Sequence, residues 1–147
     1  RNIYVDTPNY QTIEEAYTEL FIIHDSRYVA FTSARLSKAD SAKDAHKVAF
    51  EELVPNMQNY EGGINGITIT KDEETTINGI DMYLFEGTIN YGTDTKFDGY
   101  AKGCAFVLDG VPCEIVGSVI DKSQSQELID EISEIVDEMT QTVRSEE

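Results

Sequence analysis

The sequence predicts an α+β fold in which an antiparallel sheet is packed by helices. Three observations lead there. Asn78-Gly79 and Asp109-Gly110 each sit between two strand-like runs. Both dipeptides suit the two-residue hairpin turn, whose central residues need positive φ. Leu128, Ile132, Ile135, Met139 and Val143 recur at helical spacing, with Ile129 and Val136 widening the stripe.

The elements follow in chain order. Thr7-Pro8-Asn9 reads as a turn, and Thr12 with Glu15 forms a capping box that opens a short helix. Ile13, Ala16, Tyr17 and Leu20 give that helix its apolar side, although Leu20 to Ile23 equally suits a first strand. Asp25-Ser26 is a turn, and Tyr28 to Leu36 a strand with Val29 and Phe31 on one side. Ser37 to Asp40 is a second capping pattern. Behind it, Ala42, Ala45, Ala49 and Leu53 line a helix that Pro55 is expected to end. Small residues on its buried side let such a helix sit close to a sheet.

Gln58 to Gly66 is a polar loop, after which four strands are predicted: Ile67–Ile77, Ile80–Tyr91, Phe97–Leu108 and Val111–Asp121. Gly92 to Thr95 turns the middle pair. With Ile77 opposite Ile80, Lys71 falls opposite Glu86, an opposite-charge pair consistent with that register. The last hairpin separates into two faces. Tyr100, Cys104, Phe106, Cys113, Ile115 and Val119 form a bulky one; Ala101, Gly103, Ala105, Val107 and Val116 form a flatter one that suits a helix. Neither face is wholly polar, so helices are expected on both. Ser123 and Gln126 form a third capping pattern and open the last helix, whose outer side carries Glu127, Asp130, Glu131, Glu134, Asp137 and Glu138.

Composition bounds the function. The 147 residues fit a single domain spanning 1–147, and eight tyrosines with six phenylalanines support a packed core. The 28 acids outweigh 11 bases, for a net charge of −17. That field repels phosphate backbones and anionic membranes, so nucleic-acid binding is disfavoured. No apolar run approaches the ~20 residues needed to span a bilayer. The chain begins at Arg1 rather than Met, which reads as a start inside a longer precursor, after a secretory or lipoprotein leader or within a larger protein. Sparse lysine with plentiful Tyr, Thr, Asn and Gly leans towards an extracytoplasmic location.

The candidate chemistry is thin. In the Asp109-Gly110 hairpin, Cys104 falls opposite Ile115 and Phe106 opposite Cys113, so the thiols sit diagonally, ~7–8 Å apart between α-carbons. A disulfide usually spans about 4.4–6.8 Å, which favours two free, packed thiols. Two cysteines without further ligands fall short of a zinc set. His24 precedes Asp25, a pair that ligates metal in some hydrolases, but it has no companions and reads as a turn-edge residue. His46 lies at the border of the alanine stripe, as a partly buried helix residue.

Asp94-x-Lys96-x-Asp98-Gly99 copies part of a calcium loop, yet Lys96 puts a positive charge at a ligand position and Ala105 stands where the bidentate acid belongs. Asp72-Glu73-Glu74 lies within a strand, where alternate side chains diverge. Glu61-Gly62-Gly63 lacks the lysine and helix of a phosphate loop. Tyr83, Tyr91 and Tyr100 read as core-edge tyrosines rather than a sugar-stacking platform. No serine sits in a nucleophile elbow. No catalytic, cofactor-binding or metal residue is therefore assigned, no cofactor is expected, and the chain is not expected to be an enzyme.

The run Thr76-Ile77-Asn78-Gly79-Ile80-Asp81-Met82-Tyr83, the stretch Gly99 to Gly117 and the helix from Gln124, about half the chain together, resemble the PsbP-like fold. That fold occurs in the extrinsic subunit of the oxygen-evolving photosystem and in uncharacterised bacterial lipoproteins; a cystatin-like fold is the alternative. The resemblance implies a binding or assembly subunit acting on a protein partner, and no family residue is carried over. The rival expectation is a small-molecule-binding protein or minor enzyme, its pocket between sheet and helix and its polar groups drawn from residues such as His24 or Tyr100.

Overall fold

The computed structural model describes residues 2–7, 11–15, 18–24, 27–57, 64–91, 97–119 and 125–146. These form β1 (Asn2–Tyr4), β2 (Gln11–Glu15), β3 (Thr18–His24), β4 (Arg27–Ser33), α1 (Ala42–Met57), β5 (Ile64–Ile77), β6 (Ile80–Tyr91), β7 (Phe97–Leu108), β8 (Val111–Val119), α2 (Gln126–Gln141) and β9 (Arg144–Glu146). The main sheet is fully antiparallel, in the order β2-β3-β4-β8-β7-β6-β5. From β4 the chain passes through α1 to the far edge, then returns by a β5–β8 meander that closes against β4. The fold class is the expected one, an antiparallel sheet packed by helices.

The two hairpin turns behave as their residues dictate. Asn78 and Gly79 have φ of 55° and 75°, Asp109 and Gly110 have 52° and 79°, and the flanking pairs Ile77↔Ile80 and Leu108↔Val111 are in register. Lys71 pairs with Glu86, as expected, at 3.9 Å. Asn78 does a second job: its side-chain amide donates to the carbonyl of Gln141 at 2.7 Å, satisfying an acceptor left open at the end of α2.

The sheet is covered on both faces. α1 lays Ala45, Ala49 and Leu53 on the flatter face, over Ala101, Ala105, Val116, Tyr83 and Phe85. α2 lays Ile132, Val136 and Met139 on the bulky face, over Cys104, Phe106, Cys113, Ile115 and Val119. Gly117 lets α2 approach β8: a Cβ there would lie 2.5 Å from Val136 Cγ2 and 2.7 Å from Ile132 Cγ2. A small second sheet pairs β1 with β9. Beside it the Asp6 amide donates to Thr142 Oγ1, and Arg144 pairs with Asp6 at 3.0 Å, tying the two ends of the described chain together.

Several element limits differ from the sequence reading. The helix expected from Thr12 is instead the β2–β3 hairpin, with Ile13 opposite Leu20. The reason is visible in β3: Leu20 and Ile22 face α1 while Phe21 and Ile23 face α2. A strand buried on both faces reads as a continuous apolar run and borrows a helical spacing from its neighbours. The strand expected to reach Leu36 ends at Ser33, where Arg35 and Leu36 turn.

Ser41, not Ser37, caps α1, accepting from the Asp44 amide at 3.0 Å while Asp44 accepts from the Asp40 amide. α1 passes Pro55 and ends at Met57, because a proline near a helix end loses one hydrogen bond yet keeps a helical φ. β5 begins at Ile64, three residues earlier than expected. α2 is capped by Ser125, which accepts from the Glu127 amide, rather than by Ser123. The turns expected at Pro8-Asn9, Asp25-Ser26 and Gly92 to Thr95, with Ser123, lie outside the described residues.

Cys104 and Cys113 are unbonded, buried in the α2-side core on diagonal positions of the β7–β8 pair. Burial pushes both thiols up to about 12, with the Cys104 thiol also accepting from Thr140 Oγ1 at 3.2 Å. Neither thiol should react with an aromatic disulfide reagent in the native protein, both should react in denaturant, and intact mass should not change on reduction. Gly117→Ala should push α2 off β8 and lower stability by about 1–3 kcal/mol in urea unfolding. Adding Val136→Ala should recover part of that loss, which a double-mutant cycle reads directly.

Candidate functional site

Two polar clusters lie against the sheet, one on each face. On the α2 face an open cleft of about 420 Å³ is bounded by Lys71, Glu73, Leu84, Glu86, Lys102 and Asp137. The β5–β6–β7 pairing places it, because Lys71, Glu86 and Lys102 occupy successive cross-strand positions. Its charges are already matched. Lys102 Nζ donates to Ser133 Oγ at 2.7 Å and pairs with Asp137 Oδ1 at 2.9 Å, pinning β7 to α2. Tyr100 donates its hydroxyl to Glu86 Oε1 at 2.8 Å, and Lys71 approaches Glu86 from the other side. Burial, then Glu86, raises the Tyr100 phenol above its ordinary range.

On the α1 face stands Glu114, a carboxyl with its side chain fully buried. Its Oε1 meets His46 Nδ1 of α1, while Oε2 has no hydrogen-bond partner. The imidazole is walled by Phe85, Phe50 and Tyr83, with ring centroids at 4.6, 5.7 and 5.9 Å. Burial pushes Glu114 up to about 7, with the His46 hydrogen bond and charge pulling the other way. Tyr83 in turn donates to Asp72 Oδ2 at 2.8 Å; burial first, then that bond, pushes its hydroxyl up to about 12.

The sequence-derived candidates are dispersed. His46 is the partly buried helix residue expected, but its partner Glu114 was not singled out. The signal was present: Glu114 lies opposite Ala105, on the flat face meant for the alanine-rich helix. Tyr83 and Tyr100 point to opposite faces of the sheet and form no common platform. Asp72 and Glu73 both border the cleft, and Asp72 also accepts from the Tyr83 hydroxyl. The His24 side chain, Asp25, the Tyr91 side chain, Glu61-Gly62-Gly63 and Asp94 to Lys96 lie outside the described residues. Among the described residues no three His, Cys, Asp or Glu side chains gather as a metal site requires. None of their helices is long and apolar enough to cross a membrane.

No protein-family model and no curated protein matches the sequence. Solved structures do match. Cyanobacterial PsbP from Synechocystis sp. PCC 6803 superposes with a TM-score of 0.55 at 13% identity, over 99% of this chain and 92% of that one. A Pseudomonas aeruginosa protein of unknown function, PA94, gives a TM-score of 0.47 at 11% identity, over 99% of this chain and 84% of that one. With the antiparallel sheet, its two covering helices and the near-complete superposition on cyanobacterial PsbP in hand, the fold is PsbP-like.

Proposed function

We propose that this chain is a non-catalytic, extracytoplasmic binding or accessory domain that recognises a basic protein partner through its acidic surface. The observation that carries the reading is that helices cover the centre of the sheet on both faces, which leaves the described thiols and the Glu114 carboxyl without solvent access. Binding is then left to the outer surface, where Asp130, Glu134 and Glu138 stand exposed at four-residue steps along α2. Lys71 and Lys102 of the cleft already have acidic neighbours on this chain, so they offer little net charge to a small anion. The PsbP-like fold is compatible with an accessory role but does not by itself assign one.

The test is titration with a lysine-rich peptide, read by fluorescence anisotropy at low and at high salt. Saturable binding that weakens as salt rises is expected. Reversing Asp130, Glu134 and Glu138 to Lys should weaken it by roughly tenfold. The same three-residue reversal at Glu73, Glu74 and Asp81, which changes net charge equally, should leave most of the affinity. Equal losses from both triple variants would mean only bulk charge is read, and the docking surface would be wrong. The location is checked by fractionating cells that express the whole natural reading frame; recovery from the cytoplasm alone would contradict it.

A further inference from the structure

Glu114 is the one carboxyl among the buried described residues, and it sits where α1 meets the middle of the sheet. We propose that the His46–Glu114 pair is a proton-operated latch: α1 is held on the sheet while the two side chains share a proton, and loosens when that proton leaves. The inference is independent of the docking role above.

The geometry allows no other partner to take over. From α1, His46 faces the carboxyl, while Lys43 lies over the Tyr83 ring at 5.9 Å from its centroid and Lys47 is exposed. From β6 comes Tyr83, whose hydroxyl is committed to Asp72 of β5, with Glu74 adding negative charge nearby. From β4, Thr32 lies directly opposite Glu114, its hydroxyl bonded to Thr18 at 2.9 Å. From β7, Ala105 is opposite, while Cys104 of β7 and Cys113 of β8 project to the other face, where exposed Arg35 acts on Cys113. His46 is therefore the sole cation or proton donor in contact with this carboxyl among the described residues.

With one proton on the pair, the cluster is neutral overall, either as acid beside imidazole or as carboxylate beside imidazolium. Without it, a full negative charge remains in an apolar pocket, with Oε2 still unpartnered. The sign follows from the raised Glu114 value. The folded chain keeps a proton that the unfolded chain releases from about 4.5 upwards, so this stabilisation is complete below that pH and is lost as pH rises through about 7. The buried contacts that α1 makes with the sheet through Ala45, Ala49 and Leu53 are apolar and do not titrate.

The experiment uses urea unfolding of the wild type and of Glu114→Gln, which keeps the shape and one hydrogen bond but cannot ionise. Between about pH 5 and about pH 8 the wild-type folding constant should fall at least tenfold relative to Glu114→Gln. A second readout needs no core variant: wild-type amide protection of residues 45–53, corrected for intrinsic exchange, should drop relative to that of β7 and β8 as pH rises. Parallel stability curves for wild type and Glu114→Gln, or an unchanged protection ratio, would overturn the latch.

Discussion

Burial of a single antiparallel sheet on both faces is the constraint on which the rest of this molecule depends. In β7 and β8, alternate residues must be apolar in both directions, because α1 waits on one side and α2 on the other. The two faces meet that demand differently. Ala101 and Ala105 oppose the alanines of α1, small against small, so that helix rides close to the strands. Phe106, Ile115 and Val119 interlock with Ile132 and Val136, large against large, and α2 reaches β8 only over the bare backbone of Gly117. Phe85 fills the space above Gly103, where a Cβ would lie 2.5 Å from its ring. Such packing leaves little room for voids, and little tolerance for added methyl groups.

Charge is distributed in keeping with that architecture. Of the bases described, Arg27 reaches Glu131 of α2 at 2.6 Å, Lys102 reaches Asp137 and Arg144 reaches Asp6. Each joins a strand to a distant part of the chain rather than decorating one helix, so the pairs act as orienting contacts; exposed ones contribute only ~0–1 kcal/mol apiece. The 28 acids far outnumber the 11 bases. The result is a strongly negative surface around an interior that, among the described residues, admits one carboxyl, opposite one imidazole. A buried pair of this kind adds little net stability over apolar packing, whereas losing one partner is costly. That asymmetry makes it sensitive to protons in a way that the surface pairs are not.

The likeness to cyanobacterial PsbP shows how far architecture reaches and where it stops. At 13% identity the two chains still superpose along nearly their whole lengths, so the fold persists where most residues differ. What is held in common is a pattern of burial, and many sequences satisfy it. A shared fold therefore assigns no function to this chain.

The C-terminal half was legible in the sequence because its signals are local. Asn78-Gly79 and Asp109-Gly110 demand positive φ, a two-residue turn sets the register, and register then decides that Cys104 and Cys113 share a face without meeting. The stripe from Leu128 to Met139 likewise follows from helical spacing alone. The N-terminal hairpin was only half legible: Leu20 to Ile23 suited a strand as well as a helix, and the choice rests on the two cores that its alternate residues enter. The same holds for the buried polar pair. His46 and Glu114 lie 68 residues apart, and neither residue alone signals the other. Only the docking of α1 on β8 brought them into contact, because long-range burial, not local propensity, decides which charge must find a partner.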